Sequence, residues 1–145
     1  MTIHLSERTQ DQTRPTRIVL PFAPMAAPRI RTRCTAKGKG ITYLPPNYRT
    51  WRETMEAHLH VVAHTIPKYV GPIEVQIGAF FKRPPTTKLE HPVPDVDNIA
   101  KAVLDSLQGF SFVNDKQITT LIINKAWSEP GRPGYIIVNI LPLQE

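Results

Sequence analysis

Fifteen prolines and seven glycines cut this 145-residue chain into short windows, and few of them can hold a helix or a full strand. Proline fixes φ and lacks a backbone donor, so it ends helices and is confined to the margins of sheets. The window after Pro45-Pro46 runs from Asn47 to about Thr65 without Gly or Pro and repeats Trp51, Met55, Leu59 and Val62. That periodicity predicts an amphipathic helix with Asn47 as its N-cap. After Gly71-Pro72, the buried-type residues Ile73, Val75, Ile77 and Ala79 alternate with Glu74, Gln76 and Gly78, the pattern of a strand with one buried face.

Other windows complete the order. Ile18 to Phe22 reads as a first strand, stopped by Pro24 to Pro28, and Ile41-Thr42-Tyr43 closes the following basic loop as a hairpin. Residues 82–95 form a surface loop rich in Lys, Arg and Pro. Asp97 to Leu107 carries Ile99, Val103 and Leu107 on one helical face, and Gly109 breaks that helix. Ile118 to Trp127 and Tyr135 to Leu141 are expected to be two strands of one hairpin, joined through Glu129 to Gly134. The fold class is therefore α+β, a mixed β-sheet with two main helices packed on one face. Residues 17–145 are expected to form one domain and residues 1–16 a flexible tail.

Composition narrows the partners. No apolar run approaches the ~20 residues of a membrane span, and the first residues lack the hydrophobic core of a secretory signal, so a cytoplasmic protein is expected. A single cysteine, Cys34, excludes an intrachain disulfide and a Cys-based zinc cluster. A formal net charge of +6 favours a polyanion, with nucleic acid the leading choice.

Against that basic background, acidic groups gather in one stretch. Asp95 and Asp97 stand two apart, so on an extended segment their carboxylates point the same way and repel unless a cation neutralises them. Oxygen-only ligands suit Mg²⁺ or Mn²⁺. Asp115, in the turn beside Asn114 and Lys116, offers a third carboxylate. Lys101 lies one helical turn beyond Asp97 and Asp105 one turn further, so the three share a face. Lys101 is then placed to stabilise the charge that develops on a phosphate under attack. Structural readings compete: Asp97 also suits an N-cap, Asp97 with Lys101 an ordinary helix ion pair, and Asn114-Asp115 a turn. Taken together in a basic chain, the set reads as a catalytic metal site, with Asp105 either supporting it or lying on a solvated face.

The run from Pro94 through Asp95-Val96-Asp97-Asn98 and Lys101 to Leu107, then Phe112 to Ile118, resembles the signature of RusA-type Holliday junction resolvases. The segment Pro28 to Arg33, followed by Tyr43-Leu44-Pro45, is similar to that family's basic loop, and the likeness spans roughly residues 17–142. It implies Mg²⁺- or Mn²⁺-dependent hydrolysis of DNA at four-way junctions by a homodimer, in recombination and repair. Its metal-binding aspartates fall on Asp95, Asp97 and Asp115 and its lysine on Lys101. Many members carry aspartate where this chain has Asn114. Two nicks related by a two-fold axis need two acid sets, and one chain carries one.

Arg29, Arg31 and Arg33 alternate and are read as DNA contacts, with Lys82 and Arg83, and Lys88 beyond them, extending the same surface. A catalytically silent DNA-binding protein using these loops is the alternative. His60 and His64 have a zinc-compatible spacing but no third ligand, and His91 reads as a solvated loop residue. Trp51 and Trp127 are expected in the core.

Overall fold

The strand after Gly71-Pro72 becomes the centre of the molecule. The computed structural model describes residues 11–29, 31–34, 36–38 and 40–143. Its strands are β1 (Thr16–Leu20), β2 (Arg31–Cys34), β3 (Gly40–Tyr43), β4 (Ile73–Phe81), β5 (Ile118–Trp127) and β6 (Tyr135–Pro142). The helices are α1 (Pro46–Val62) and α2 (Val96–Leu107). Four strands form a mixed sheet in the order β1-β6-β4-β5, and β2 and β3 form a separate two-stranded ribbon. The fold is α+β, as the alternation and helical periodicities predict.

Ile73, Val75, Ile77 and Ala79 of β4 are all buried on one face. They stand beside Ile136, Val138 and Ile140 of β6, and β6 in turn carries Ile18 and Leu20 of β1 on the same side. Both helices cover that face. Tyr48, Trp51, Met55 and Leu59 of α1 and Ala100, Ala102, Val103 and Leu107 of α2 complete one core cluster with it. Burial dominates the energetics of α1: four such side chains are worth about 1.5–3 kcal/mol each, while a side-chain N-cap, which α1 lacks, is worth about 1 kcal/mol. The N-cap is Pro45 rather than Asn47, because Pro46 at the first helical position presets the helical φ. Gly109 takes a positive φ of 91° just past the end of α2, as a helix breaker should.

The expected hairpin of the last two strands does not form. β4 lies between them, parallel to β5 and antiparallel to β6. Parallel neighbours need a crossover, and the loop 82–95 with α2 supplies it. The connection from β5 to β6 has to bridge two strand spacings of about 4.8 Å each, which its residues span easily. It passes over the end of β4, where Ser128 N donates to Phe81 O at 2.7 Å. The Tyr135 ring stacks on Phe80 with centroids 4.6 Å apart, and the Arg132 guanidinium sits 3.8 Å from the Tyr135 centroid. A twisted core strand satisfies both its backbone edges only in such a central place.

Residues 1–10 of the expected tail lie outside the described residues. The rest of that segment is fastened: the Gln12 amide donates to Lys68 O and accepts from Val70 N, both at 2.9 Å. Tyr69 is fully buried; its hydroxyl donates to Arg14 O and shares a 2.7 Å hydrogen bond with Thr16 Oγ1. Burial pushes the Tyr69 phenol above its ordinary range. Among the described residues no helix is long and apolar enough to cross a membrane.

The crossing at Gly134 is tight. A Cβ there would meet Phe80 O at 3.0 Å and Ala23 Cα at 3.1 Å, both backbone, whereas a Cβ at Gly71 meets nothing within 4 Å. Gly134→Ala is expected to destabilise the domain by about 1–3 kcal/mol, and Gly71→Ala to stay within about 0.5 kcal/mol of the parent, both read by urea unfolding.

Candidate active site

Each acidic residue is placed by a different device. Asp95 ends the loop 82–95 as the N-cap of α2, with extended φ −71° and ψ 137°, and its carbonyl accepts from Ile99 N at 3.0 Å. Its carboxylate makes no capping hydrogen bond and is exposed. Asp97 lies in the first helical turn, where the positive end of the helix dipole favours a carboxylate. The cap is thus Asp95 rather than Asp97. The extended geometry expected across the two does not hold, because Asp97 is helical and the two-residue alternation of a strand stops at Val96.

Along α2, Asp97, Lys101 and Asp105 do share a stripe. With Val96, Ala100 and Leu104, and with Leu121 and Ile123 of β5, they line a cleft of about 380 Å³ to which Asp115 also contributes. Lys101 Nζ stands 4.0 Å from Asp105, with both side chains well exposed, so that pair adds little stability and leaves the ammonium available.

Asp115 opens a 3-10 turn, Asp115–Gln117, just before β5. Asn114 caps that turn: its Oδ1 accepts from Lys116 N at 2.9 Å. Asparagine and aspartate cap about equally well, so the departure at this position has a structural use. Gln117 holds the turn in place. Its Oε1 accepts from Val113 N at 2.8 Å and Asn114 N at 2.9 Å, while its Nε2 donates to Tyr69 O at 2.8 Å and Gly71 O at 2.9 Å. Both donors and both lone pairs of the amide are used. The local signal for Gln117 is the spacing Asn114-Asp115-Lys116-Gln117, which is that of a capping box.

The acids divide between the two ends of the cleft. Asp115 N donates to Gln108 Oε1 at 3.3 Å, which sets Asp115 beside the C-terminal end of α2. Asp97 is eleven residues up the helix from Gln108, about 16 Å at 1.5 Å per residue. Among the described residues no group of three His, Cys, Asp or Glu side chains is gathered closely enough to hold one metal ion. Asp97 marks one end, with Asp95 two residues before it and outside the lining, and Asp115 with Asp105 marks the other. Each end offers oxygen donors alone, which fits Mg²⁺ or Mn²⁺, since Mg²⁺ takes one or two protein carboxylates and fills its shell with water and phosphate.

Of the residues expected to contact DNA, Arg29, Lys82 and Arg83 do not line this cleft. Ala27 N donates to Asn98 O at 2.9 Å, so Arg29, which is exposed, starts two residues from the first turn of α2. Arg31 and Arg33 lie in β2, opposite Tyr43 and Ile41 of β3. Lys82 and Arg83 are exposed just past β4, and Arg83 lines a different cavity with Pro84, Pro85 and Trp127. Trp51 is in the core, its Nε1 donating to Ala23 O at 2.8 Å. Trp127 is not: it ends the edge strand, half-exposed, and donates to Leu89 O at 3.1 Å. His60 packs edge-on against Phe110 rather than beside a metal partner.

A family model described as Endodeoxyribonuclease RusA matches residues 21–139. Among curated proteins no match was found.

Gln117→Leu keeps the volume and deletes all four hydrogen bonds, leaving the Tyr69 and Gly71 carbonyls short of a donor. A loss of about 1–3 kcal/mol is expected, measured by urea unfolding, with faster amide exchange at Val113 and Asn114 than in the centre of β4.

Proposed function

The chain belongs to the RusA endodeoxyribonuclease family, with a match over residues 21–139, and we propose that it resolves four-way DNA junctions as a Mg²⁺- or Mn²⁺-dependent homodimer. The observation that carries this reading is the cleft itself: Asp97, Lys101 and Asp115 line one groove of a chain with net charge +6.

Asp95 and Asp97 hold the cation at the N-terminal end of α2, where their carboxylates are free of capping bonds. A divalent cation bound there supplies Lewis acidity, lowering the pKa of water and offsetting phosphate charge. Lys101, one turn along the same stripe, faces the scissile phosphate and stabilises the extra charge of the transition state. The exposed Arg29 and the β2 arginines Arg31 and Arg33, with Lys82 and Arg83, hold the flanking backbone through phosphate contacts. The third carboxylate, Asp115, lies at the other end of the cleft within one chain. A second copy related by a two-fold axis brings its Asp115 to the first copy's Asp95 and Asp97, so that two complete sites arise together. β5 supports such an assembly. It is an edge strand ten residues long with Leu121 and Ile122 exposed, and unpaired edges of this kind favour pairing with another chain.

Asp97→Asn is expected to abolish cleavage of a synthetic four-way junction in Mg²⁺ while leaving binding in EDTA intact. Undiminished cleavage would sink the assignment. Lys101→Met is expected to slow cleavage by about 10²–10³-fold. A wild-type protein that binds the junction but never cuts it, with Mg²⁺ or Mn²⁺, would be the catalytically silent DNA-binding protein instead.

Mixing supplies the test of the dimer. Asp97→Asn and Asp115→Asn chains, each inactive alone, are expected to regain up to one nick per dimer when combined, because one of the two sites then carries a full set. No recovery in a mixture shown by sedimentation to exchange subunits would place all the ligands in one chain.

A further inference from the structure

We propose that Lys125 is a positioning residue for the acid pair, acting through the backbone of the loop that ends at Asp95. The proposal rests on the reading of Asp95 and Asp97 as the cation-holding end of the cleft. The parallel register sets Leu121, Ile123, Lys125 and Trp127 opposite Val75, Ile77, Ala79 and Phe81, so all four project to the helix-covered side of the sheet. A lysine at an inward position breaks the apolar pattern, and such breaks tend to mark a specific use. Lys125 is half-buried, and its ammonium donates to Pro94 O at 2.7 Å, the carbonyl of the peptide bond that leads into Asp95. Among the described residues no carboxylate lies within 4.0 Å of it, so its charge is directed at that carbonyl.

The loop needs such a fastening. Four of its residues, Pro84, Pro85, Pro92 and Pro94, have no backbone donor. Its hydrogen bonds of Thr87, Leu89 and His91 all stay inside the loop. Among the described residues, the side chains that reach it from elsewhere are Lys125, at Pro94 O, and Trp127, at Leu89 O. Two neighbouring inward positions of β5 thereby hold the loop at its middle and at its end. A charge-assisted bond to a carbonyl is the stronger of the two, and it sits one residue from the first carboxylate. An inward charge can also guard an edge strand against self-association, but that service requires no particular acceptor, whereas this ammonium has one at hydrogen-bond distance.

Lys125→Met keeps the stem and removes the donor; Lys125→Arg keeps a donor; Trp127→Phe removes only the indole N–H. For Lys125→Met, amide exchange across residues 89–98 is expected to accelerate by about tenfold or more, with β4 unchanged, and the Mg²⁺ concentration for half-maximal junction cleavage to rise by about 10–100-fold. Junction binding in EDTA is expected to be unchanged, and Lys125→Arg to recover most of both effects. Trp127→Phe is expected to accelerate exchange near Leu89 with a smaller change in metal requirement. Unchanged exchange and unchanged metal requirement in Lys125→Met overturn the proposal, whether or not the variant self-associates. So does weaker binding in EDTA with an unchanged metal requirement, which would make Lys125 a phosphate contact. If the wild type cleaves no junction, the nuclease reading falls, while the exchange experiment still decides whether Lys125 holds the loop.

Discussion

Everything in this fold follows from β4 being hydrogen-bonded on both edges. With β6 antiparallel on one side and β5 parallel on the other, the chain has to leave the end of β4 and travel back before β5 can begin. That return path is the loop 82–95 and α2, and it carries Asp95, Asp97, Lys101 and Asp105. The turn that re-enters the sheet carries Asp115. A simple hairpin would need no crossover, and these acids would have no common groove. The parallel pair is therefore what sets an acidic stripe on a helix against the inner face of an edge strand.

The same geometry separates the acids. A helix returning beside a strand pair puts its first turn at one end of the sheet and its last turn at the other. Residues close in sequence to the two ends of α2 cannot meet inside one chain without bending the helix. The cleft is consequently elongated, with carboxylates at both ends and a lysine between them.

Much of this was legible in the chain. Apolar spacing alone locates α1, because Trp51, Met55 and Leu59 are buried where their period puts them. Alternation locates β4, and the four-residue spacing of Asp97, Lys101 and Asp105 sets them along the cleft-lining stripe of α2. What failed were inferences that carried a local rule across a boundary. Two strands adjacent in sequence were paired, although the sheet inserts β4 between them, and pairing is decided by which strand most needs two partners. Asp95 and Asp97 were given strand geometry, although the helix starts between them. Trp127 was assigned to the core by residue type, but its strand lies at the edge. The positioning of Asp115 by Gln117 is signalled locally only by the capping-box spacing, and the carbonyls of Tyr69 and Gly71 that accept its donors lie 48 and 46 residues earlier in the chain.

Edge position explains why β5 carries both apolar and charged inward residues. A central strand such as β4 is walled in on both sides and tolerates only apolar groups on its inner face. An edge strand has one open flank, so a long side chain there can keep its stem against the core and turn its head towards a neighbouring loop. Lys125 does this beneath Pro94, at the level of the sheet where α2 begins. Desolvating an ammonium is costly unless the charge is well hydrogen-bonded, and half-burial lowers that cost while the short bond to the carbonyl offsets part of the rest. Apolar substitution at this site would suit the core as well as lysine does, or better. The retained cost is intelligible if the group is there to hold the segment that presents Asp95.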